Sequence, residues 1–417
     1  RSTVLTDPDN QNEATTYLIH SIYKRELSAN ATLKNITYFQ HLQREEIAQN
    51  SFVEIIDGAD TAQNRTELTY RWNSDQQTIF AFDVRYNKVL GYSQFTTEAD
   101  LPIDLTGPLS NRRIPLTDAQ KARLVELSPG VFVSPGGQYD LDNDGSGDFN
   151  LSDTTDSPSW QTGLAIQQDS DWGDKLHTSV GYRIDFYDVE ANDPIAPQGQ
   201  VAASDSINET LHSGQVSFNY KLNSDYTTYG AASYNEATSN SMAGGTSLGS
   251  DNTISAQNFA TENTLVEFGL KYAPTNSDWY ADGAVFSQRR SLRNRDGSNT
   301  GIRTTGFESQ VFYDAYPYWL SAGYSYIDAR YDNSASSQDS AQVIDAFDNS
   351  RPDIIAGTGV GAPSFTAFAP SNRQVQGIPE QSFSFNGNYS INSKWQMGFS
   401  GLYTKSYPLD FLATVKI

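Results

Sequence analysis

The chain has 417 residues, no cysteine, and a formal net charge of −22 from 50 acidic and 28 basic residues. This charge excludes a nucleic-acid partner, because no basic surface is available to neutralise a row of phosphates. The lack of cysteine excludes disulfides, thiolate catalysis and cysteine-based zinc sites, and no run is apolar for long enough to form a transmembrane helix, which leaves a soluble protein or a membrane β-barrel.

Alternation of apolar and polar residues with a period of two is the dominant pattern along the chain, and it predicts β-strands. The pattern is clearest at 78–92, 177–189 and 382–391. One face of each segment is apolar and the other is polar and partly charged, as in a strand between lipid and a lumen. We expect Phe80, Phe82, Val84, Val180, Tyr182, Ile184, Phe383 and Phe385 to face lipid, and Asp83, Arg183, Asp185 and Asn386 to face the lumen.

The connections between the predicted strands fall into two length classes. Short turns at one end and long loops at the other are typical of outer-membrane barrels, in which the turns face the periplasm and the loops face the exterior. The sequence therefore predicts an all-β transmembrane antiparallel β-barrel with about fourteen strands in seven hairpins. The short turns lie near 28–30, 73–76, 170–174, 223–225, 275–278, 314–317 and 392–394, and long connections are expected at 48–63, 93–157, 190–208, 238–260 and 331–377.

Aromatic residues flank nearly every short turn. If the turns lie at one level, these side chains form a ring at one membrane–water interface, with the rings in the acyl region and the polar atoms in water. Ordinary packing within each hairpin is the alternative, but recurrence at the short turns favours the interfacial ring. The expected ring includes Tyr70, Trp72, Trp172, Tyr272, Trp279, Trp319 and Trp395.

The longest connection, 93–157, contains two local signals. Residues 116–127 (LTDAQKARLVEL) predict a short helix with Thr117 as its N-cap. Residues 142–153 (DNDGSGDFNLSD) have the spacing of a calcium-binding loop. Because long loops are usually either functional or disordered, we expect 93–157 to form a folded extracellular cap, and 331–377 to be a second long extracellular loop.

The predicted calcium site takes its ligands from alternate positions of the 142–153 loop. Ca²⁺ binds about six to eight oxygens from a pliable loop, and this spacing turns alternate side chains towards one centre, with Gly147 at the tight turn. The alternative is a solvated acidic loop, since the closing residue is an Asp, which is shorter than the usual Glu. The predicted ligands are Asp142, Asp144, Ser146, the backbone carbonyl of Asp148, Asn150 and Asp153.

Three later segments, 261–290, 304–331 and 375–408, resemble hairpins of TonB-dependent outer-membrane receptors. No single motif among them is highly specific, and the resemblance depends on their order and spacing. It covers the last third of the chain directly and the rest through the hairpin rhythm. The matching residues are Glu267, Gly269, Lys271 and Tyr272 in a Glu-x-Gly-x-Lys-Tyr pattern, Gly306 and Glu308 in a Gly-x-Glu pattern, and Gly377, Ile378 and Pro379 at a late strand entry.

The resemblance implies a barrel of about 22 strands with a plugged lumen, and active import of a solute too large for porins. It implies the outer membrane of a Gram-negative bacterium, contact with lipid and lipopolysaccharide, and energy from the TonB complex acting through a plug domain. The implied ligand is a small molecule, with a ferric siderophore as the commonest cargo, and no enzymatic activity. The sequence lacks the plug and about four hairpins, so it is either the incomplete barrel portion of such a receptor or a degenerate relative. We expect the first, because a truncated open barrel would leave unpaired strand edges in lipid.

Two alternatives to transport remain open from the sequence. The first is a surface or adhesive barrel protein whose calcium-ordered cap binds other surfaces. The second is an outer-membrane lipase-like hydrolase, but the sequence has no distinctive nucleophile motif. The histidines are too widely spaced to predict a metal cluster; they are His20, His41, His177 and His212.

Five arginines cluster around the short connection 293–299. They either attract an anionic ligand such as a ferric siderophore to the mouth of the lumen, or contact lipopolysaccharide phosphates at the outer rim. The sequence favours neither interpretation. The five are Arg289, Arg290, Arg293, Arg295 and Arg303.

Overall fold

The computed structural model describes the strands of one large sheet and several segments between them. Within the described ranges, no helix has the length and apolar character needed to cross a membrane. The described residues are 11–48, 52–94, 108, 118, 125–128, 131–133, 154–196, 199–238, 242–249, 252–254, 260–293, 299–332, 340–344, 364–368 and 374–409.

Fourteen strands form one antiparallel sheet, in which each strand pairs with the next in chain order and the two small hairpins described below are skipped. The predicted all-β antiparallel architecture with about fourteen strands is therefore confirmed. The strands are β1 (Gln11–Glu26), β2 (Ala31–Ala48), β3 (Phe52–Arg71), β4 (Gln76–Gln94), β7 (Thr155–Trp172), β8 (Leu176–Asn192), β9 (Ser204–Lys221), β10 (Tyr226–Thr238), β11 (Ala260–Tyr272), β12 (Trp279–Arg293), β13 (Asn299–Ala315), β14 (Tyr318–Asp332), β17 (Gln381–Ser390) and β18 (Gln396–Thr404).

Two small hairpins lie in the long connections. The first pairs β5 (Val125–Ser128) with β6 (Val131–Val133), between β4 and β7. The second pairs β15 (Ser340–Ile344) with β16 (Ser364–Phe368), between β14 and β17. The connections predicted to be the longest therefore contain strands of their own.

The two faces of the large sheet differ as the alternation predicts. Phe82 is 47% exposed, whereas the adjacent Asp83 is 2% exposed. Because cross-strand partners share a face, the pairing of Asp83 with Gly163 and of Gly163 with Asp185 places the two buried carboxylates on one face. We call this face the inner wall and the opposite one the outer face. Exposed apolar residues on the outer face include Phe80, Phe82, Val180, Tyr182, Phe186, Phe383 and Phe385.

Asparagine side chains hold several of the short turns. The Asn73 side-chain oxygen accepts a hydrogen bond from the backbone N–H of Asp75 at 2.8 Å, and Asn223 does the same for Asp225 at 2.9 Å. Asn392 accepts from Lys394 at 2.9 Å. These side chains mimic a backbone turn, which explains why an Asn is the second residue of each of the three connections.

Aromatic side chains meet across strands next to the short turns. The ring centroids of Trp279 and Tyr313 are 4.7 Å apart, and those of Tyr226 and Tyr272 are 4.9 Å apart. Four tryptophans occupy outer-face positions and are at least half exposed: Trp72, Trp172, Trp279 and Trp395. Trp319 differs from this expectation, because its partners Asp314 and Asn388 place it in the register of the inner wall.

The predicted long connection at 48–63 is wrong. Residues 52–63 belong to β3, which pairs continuously with β2 and β4 on either side of one bulge at Asp57. The register with β4 shifts between Ile56 and Gly58, so Asp57 is the extra residue in one strand that makes a β-bulge. The neighbouring strands supply the partners that keep β3 extended through this polar stretch.

The predicted helix at 116–127 is wrong at its C-terminal end. Asp118 is helical, but Val125 begins β5 and pairs with Val133. The pattern VELSPGVFV also fits two short strands around a Pro-Gly turn, and cross-strand pairing overrides the helical propensity of the preceding residues.

Candidate functional site: the inner wall

The centre of the inner wall is an ion pair between strands that are not neighbours. Arg183 on β8 donates to both carboxylate oxygens of Asp83 on β4, at 2.6 and 2.8 Å. It also donates to Asp185 on its own strand, at 2.5 and 2.6 Å. Gln161 on β7 donates to Asp185 at 2.7 Å. Such bidentate, charge-assisted contacts fix both strands in one register.

Glycine on the intervening strand makes this contact possible. Gly163 of β7 lies between Asp83 and Asp185 in the sheet. A Cβ at this position would lie 2.7 Å from the guanidinium carbon of Arg183 and 2.7 Å from Asp185 Oδ1. The arginine therefore crosses the sheet through the space that a side chain would otherwise fill.

Further ion pairs extend the charged surface towards β2. Lys34 Nζ lies 3.4 Å from Glu67, and Arg65 Nε lies 2.7 Å from the same carboxylate. Arg65 is the cross-strand partner of Asp83, so both ion-pair groups lie at one height. Arg183, Arg65 and Lys34 on the inner wall between β2 and β8 are therefore each paired with a carboxylate on the same wall.

The residues that carried the resemblance also lie on the inner wall. Glu267 and Lys271 share the face of Gly269, whose cross-strand partner is Tyr229. The Lys271 ammonium lies 5.1 Å from the centroid of the Tyr229 ring. Glu308, on β13, pairs with Ala284 on the same face and is exposed. These charges project from the wall of β11 to β13.

The structure separates the arginine cluster into two faces. Arg289, Arg303 and Arg330 are successive cross-strand partners on the outer face, and Arg289 donates to Asp332 at 2.9 Å. Arg290, in contrast, pairs with Asn263 and Ile302 and faces inward. Arg290 is exposed, and no described residue forms an ion pair with it. The side chain of Arg293 and the whole of Arg295 lie outside what the structure describes.

The predicted calcium ligands Asp142, Asp144, Ser146, Asp148, Asn150 and Asp153 lie outside the described residues. Within the described ranges, no group of three or more His, Cys, Asp or Glu residues has the arrangement to hold a metal ion. Three of the four histidines have other partners: His41 contacts Asp60 at 2.7 Å, His177 contacts Asp171 at 2.8 Å, and His212 contacts Tyr182 at 2.7 Å.

One element of the inner wall was not predicted from the sequence. The connection between β10 and β11 was expected to be an extracellular loop, but its described parts, 242–249 and 252–254, pack against inner-wall residues of four other strands. Its signals in the sequence are a few apolar residues, among them Leu248 and Ile254, in a polar, small-residue segment.

Comparison with known proteins decides the family. The family described as TonB dependent receptor-like, beta-barrel matches residues 4–416. The chain belongs to this family. The resemblance stated from the sequence is confirmed, and the prediction that the chain is not an enzyme agrees with membership of a receptor family. No curated protein matches the sequence of this TonB-dependent receptor barrel.

Solved structures share the fold of this receptor barrel at low sequence identity. The siderophore receptor PiuA from Acinetobacter baumannii has a TM-score of 0.63 and 14% identity, covering 98% of this chain and 57% of PiuA. The ferric citrate transporter FecA has a TM-score of 0.61 and 12% identity, covering 99% and 52%. The ferric yersiniabactin uptake receptor FyuA from Yersinia pestis has a TM-score of 0.59 and 10% identity, covering 97% and 52%. The chain thus spans little more than half the length of these structures.

Proposed function

We propose that this chain forms barrel strands of a receptor that actively imports a scarce, anionic metal chelate across the outer membrane of a Gram-negative bacterium. A ferric siderophore is the leading candidate for the cargo. The support from comparison is that PiuA, FecA and FyuA, which share its fold, are named for siderophores or ferric chelates.

The observation that carries the proposal is the position of Arg290. This cation lies on the inner wall more than ten residues from the short turn that precedes β12, near the ends of β12 and β13 that are joined by the 293–299 connection. It has no ion-pair partner in the described chain, unlike Arg183 and Arg65 on the same wall. An exposed guanidinium at the mouth of a lumen is suited to bidentate recognition of a carboxylate or other anionic oxygens on an entering ligand.

The partners follow from the two faces. The apolar outer face contacts lipid, and the outward row of Arg289, Arg303 and Arg330 contacts lipopolysaccharide phosphates. The inner wall surrounds a plug domain, through which the TonB complex supplies the energy for import. This assignment separates the two interpretations of the arginine cluster, because Arg290 meets the ligand and its neighbour Arg289 meets lipid headgroups.

The experiment uses the receptor expressed from its complete gene in iron-limited cells. Uptake of radioactive iron is measured as ferric citrate, a ferric catecholate and a ferric hydroxamate. We expect one of them to accumulate, and deletion of TonB to abolish its uptake. Failure of all three to accumulate above a receptor-deletion strain would contradict the proposed class of cargo.

The neighbouring arginines provide a matched pair of variants. Arg290→Ala should weaken binding of the accumulated chelate about tenfold, since a lost charge-assisted contact costs about 1.5 kcal/mol or more. Arg289→Ala removes the same charge from the opposite face and should leave chelate affinity unchanged. Equal effects of the two substitutions would show that only the long-range field of the arginines matters.

A further inference from the structure

The segment between β10 and β11 folds inward and lies across the inner wall. We call its described parts, Met242–Gly249 and Asn252–Ile254, the inner loop. The loop leaves the sheet at β10 and reaches the side chain of Asn87 on β4, three strands beyond β9 in the order β4-β7-β8-β9. Each residue that it contacts on these strands occupies an inner-wall position.

Polar side chains on three strands hold the backbone of the inner loop. Thr155 on β7 donates to the carbonyl of Thr246 at 2.5 Å, and the N–H of Thr246 donates to Ser157 at 3.1 Å. Asn87 donates to the carbonyl of Gly244 at 3.2 Å. On β9, the Asp205 carboxylate accepts from the N–H of Ile254 at 2.7 Å. Each contact satisfies a backbone group that the loop would otherwise bury without a partner.

Apolar side chains seal the loop onto β8. Leu248 and Ile254 form one cluster with Val189 and Ala191, and all four are at most 8% exposed. Thr155 and Ser157 beneath the loop are 0% and 1% exposed. The inner loop therefore removes a continuous strip of the wall from the lumen.

The anchoring side chains are themselves held in place. Thr61 on β3 donates to the Asn87 side-chain oxygen at 2.7 Å, which directs the Asn87 amide N–H₂ towards the loop. Ser157 donates to the carbonyl of Glu190 at 2.7 Å while it accepts from the loop. Within the loop, Gly244 has a φ of +91°, a backbone conformation that residues with a side chain rarely adopt. The anchors are therefore preorganised on the wall, and the loop backbone is shaped to meet them.

We propose that the inner loop is a fixed constriction that sets the largest ligand the receptor admits. A layer packed on a sheet face adds about 10 Å of thickness, so the loop narrows the lumen from the side of β4 to β9. Arg290 lies on β12, outside the strip of wall that the inner loop covers. This inference depends on the proposed function for there being a ligand to admit. The constriction itself is a property of the barrel.

The contacts favour a fixed element over a moving lid. A mobile lid has few buried apolar contacts, and many of its hydrogen bonds are accessible to solvent, because its opening must cost little free energy. The inner loop has the opposite character, with buried hydroxyl anchors on β7 and a sealed apolar cluster on β8. Opening would leave the backbone groups of the loop without hydrogen-bond partners, and at the same time it would leave the anchoring side chains unpaired.

The test measures the width of the mouth without any ligand. Since the chain has no cysteine, Gln288→Cys places one thiol on the partly exposed inner wall of β12, outside the strands that the loop covers. Intact cells carrying the complete receptor are treated with maleimide–polyethylene glycols of increasing mass. We expect a sharp mass limit for labelling, and a higher limit when 242–254 is replaced by a short Gly-Ser linker. An unchanged limit would overturn the constriction.

A second variant covers the case in which the shortened loop prevents folding. Val189→Cys places a thiol beneath the loop, where it should react with a small maleimide at least tenfold more slowly than Gln288→Cys. When Val189→Cys is combined with Thr155→Val and Ser157→Ala, which remove the anchoring hydroxyls with little change in volume, the thiol at position 189 should become exposed and react faster. Equal labelling of residues 189 and 288 without the anchor changes would overturn the proposal.

The fixed character is tested during transport. Protection of Val189→Cys should be the same in resting cells, in cells given the ferric chelate that they accumulate, and in cells lacking TonB. Protection that is lost only during uptake would overturn a fixed constriction. Failure of every chelate to accumulate would instead contradict the proposed function and leave the labelling results intact, so the two failures are distinguishable.

Discussion

Arg183 on β8 reaches across β7 to Asp83 on β4, 100 positions away in the sequence, and binds both of its carboxylate oxygens at 2.6 and 2.8 Å. The Asp83 side chain is 3% exposed and that of Arg183 is 23% exposed, so the pair is largely removed from water. The contact joins two strands that share no backbone hydrogen bond. It therefore constrains the curvature of the sheet at β7 as well as its register.

Arg183→Ala should destabilise the folded barrel by about 3 kcal/mol or more, because removing one partner leaves a buried charge uncompensated. The measurement is urea unfolding in lipid vesicles, followed by the heat-modifiable mobility of the folded barrel on gels. Arg65→Ala is the matched control, since the Arg65 side chain is 36% exposed. That substitution should cost less than about 1 kcal/mol. Equal losses for the two variants would contradict the importance of burial.

Gly163→Ala should destabilise the barrel by about 1–3 kcal/mol, the usual cost of overpacking. The new Cβ meets the Arg183 guanidinium and the Asp185 carboxylate, both held by other contacts. Gly181→Ala on the adjacent strand is the control, because its Cβ would meet only the flexible Gln215 side chain, at 3.3 Å. The double variant Gly163→Ala with Arg183→Ala should lose less stability than the sum of the two single losses, since the clash with the guanidinium disappears with the arginine.

Phe385→Arg and Asn386→Arg test which face of β17 contacts lipid. Phe385 is 40% exposed on the outer face, and Asn386 is exposed on the inner wall. An arginine facing the hydrocarbon midplane costs about 2–4 kcal/mol, so Phe385→Arg should lose that much stability in vesicles. Asn386→Arg should change stability by less than about 0.5 kcal/mol. Reversed sensitivities would show that the sheet is assigned inside out.

The 142–153 segment is predicted to bind one Ca²⁺, with oxygens at about 2.3–2.6 Å. Binding should protect the 93–157 connection from protease, and the protection should rise with free calcium, because a ligand that binds only the ordered state stabilises it. Asp142→Ala with Asp144→Ala should abolish this protection and leave the heat-modifiable mobility of the barrel unchanged. Equal proteolysis in calcium and in chelator would identify the segment as a solvated acidic loop.

The sequence by itself determined the faces of the strands and the positions of the short turns. The side-chain period of a strand is two, so alternation such as that of Phe80, Phe82 and Asp83 places each residue on a face as soon as one face is known to be apolar. Turns are determined by local chemistry. The Asn side chains at 73, 223 and 392 each need only the backbone N–H two residues later as a hydrogen-bond donor. Both signals depend only on residues close together in the sequence, which is why the structure agrees with them.

Only the tertiary structure decided which distant residues meet. The alternation is lost at residues 285 and 286, because two consecutive residues, Val285 and Phe286, are both apolar. The faces of Arg289 and Arg290 could therefore be assigned only from the pairing of β12 with β13. The bulge at Asp57 depended on partners supplied by β2 and β4. The contact of Arg183 with Asp83, and that of the inner loop with Thr155, join residues far apart in sequence. Such contacts depend on strand order and sheet curvature, which no local pattern of residues encodes.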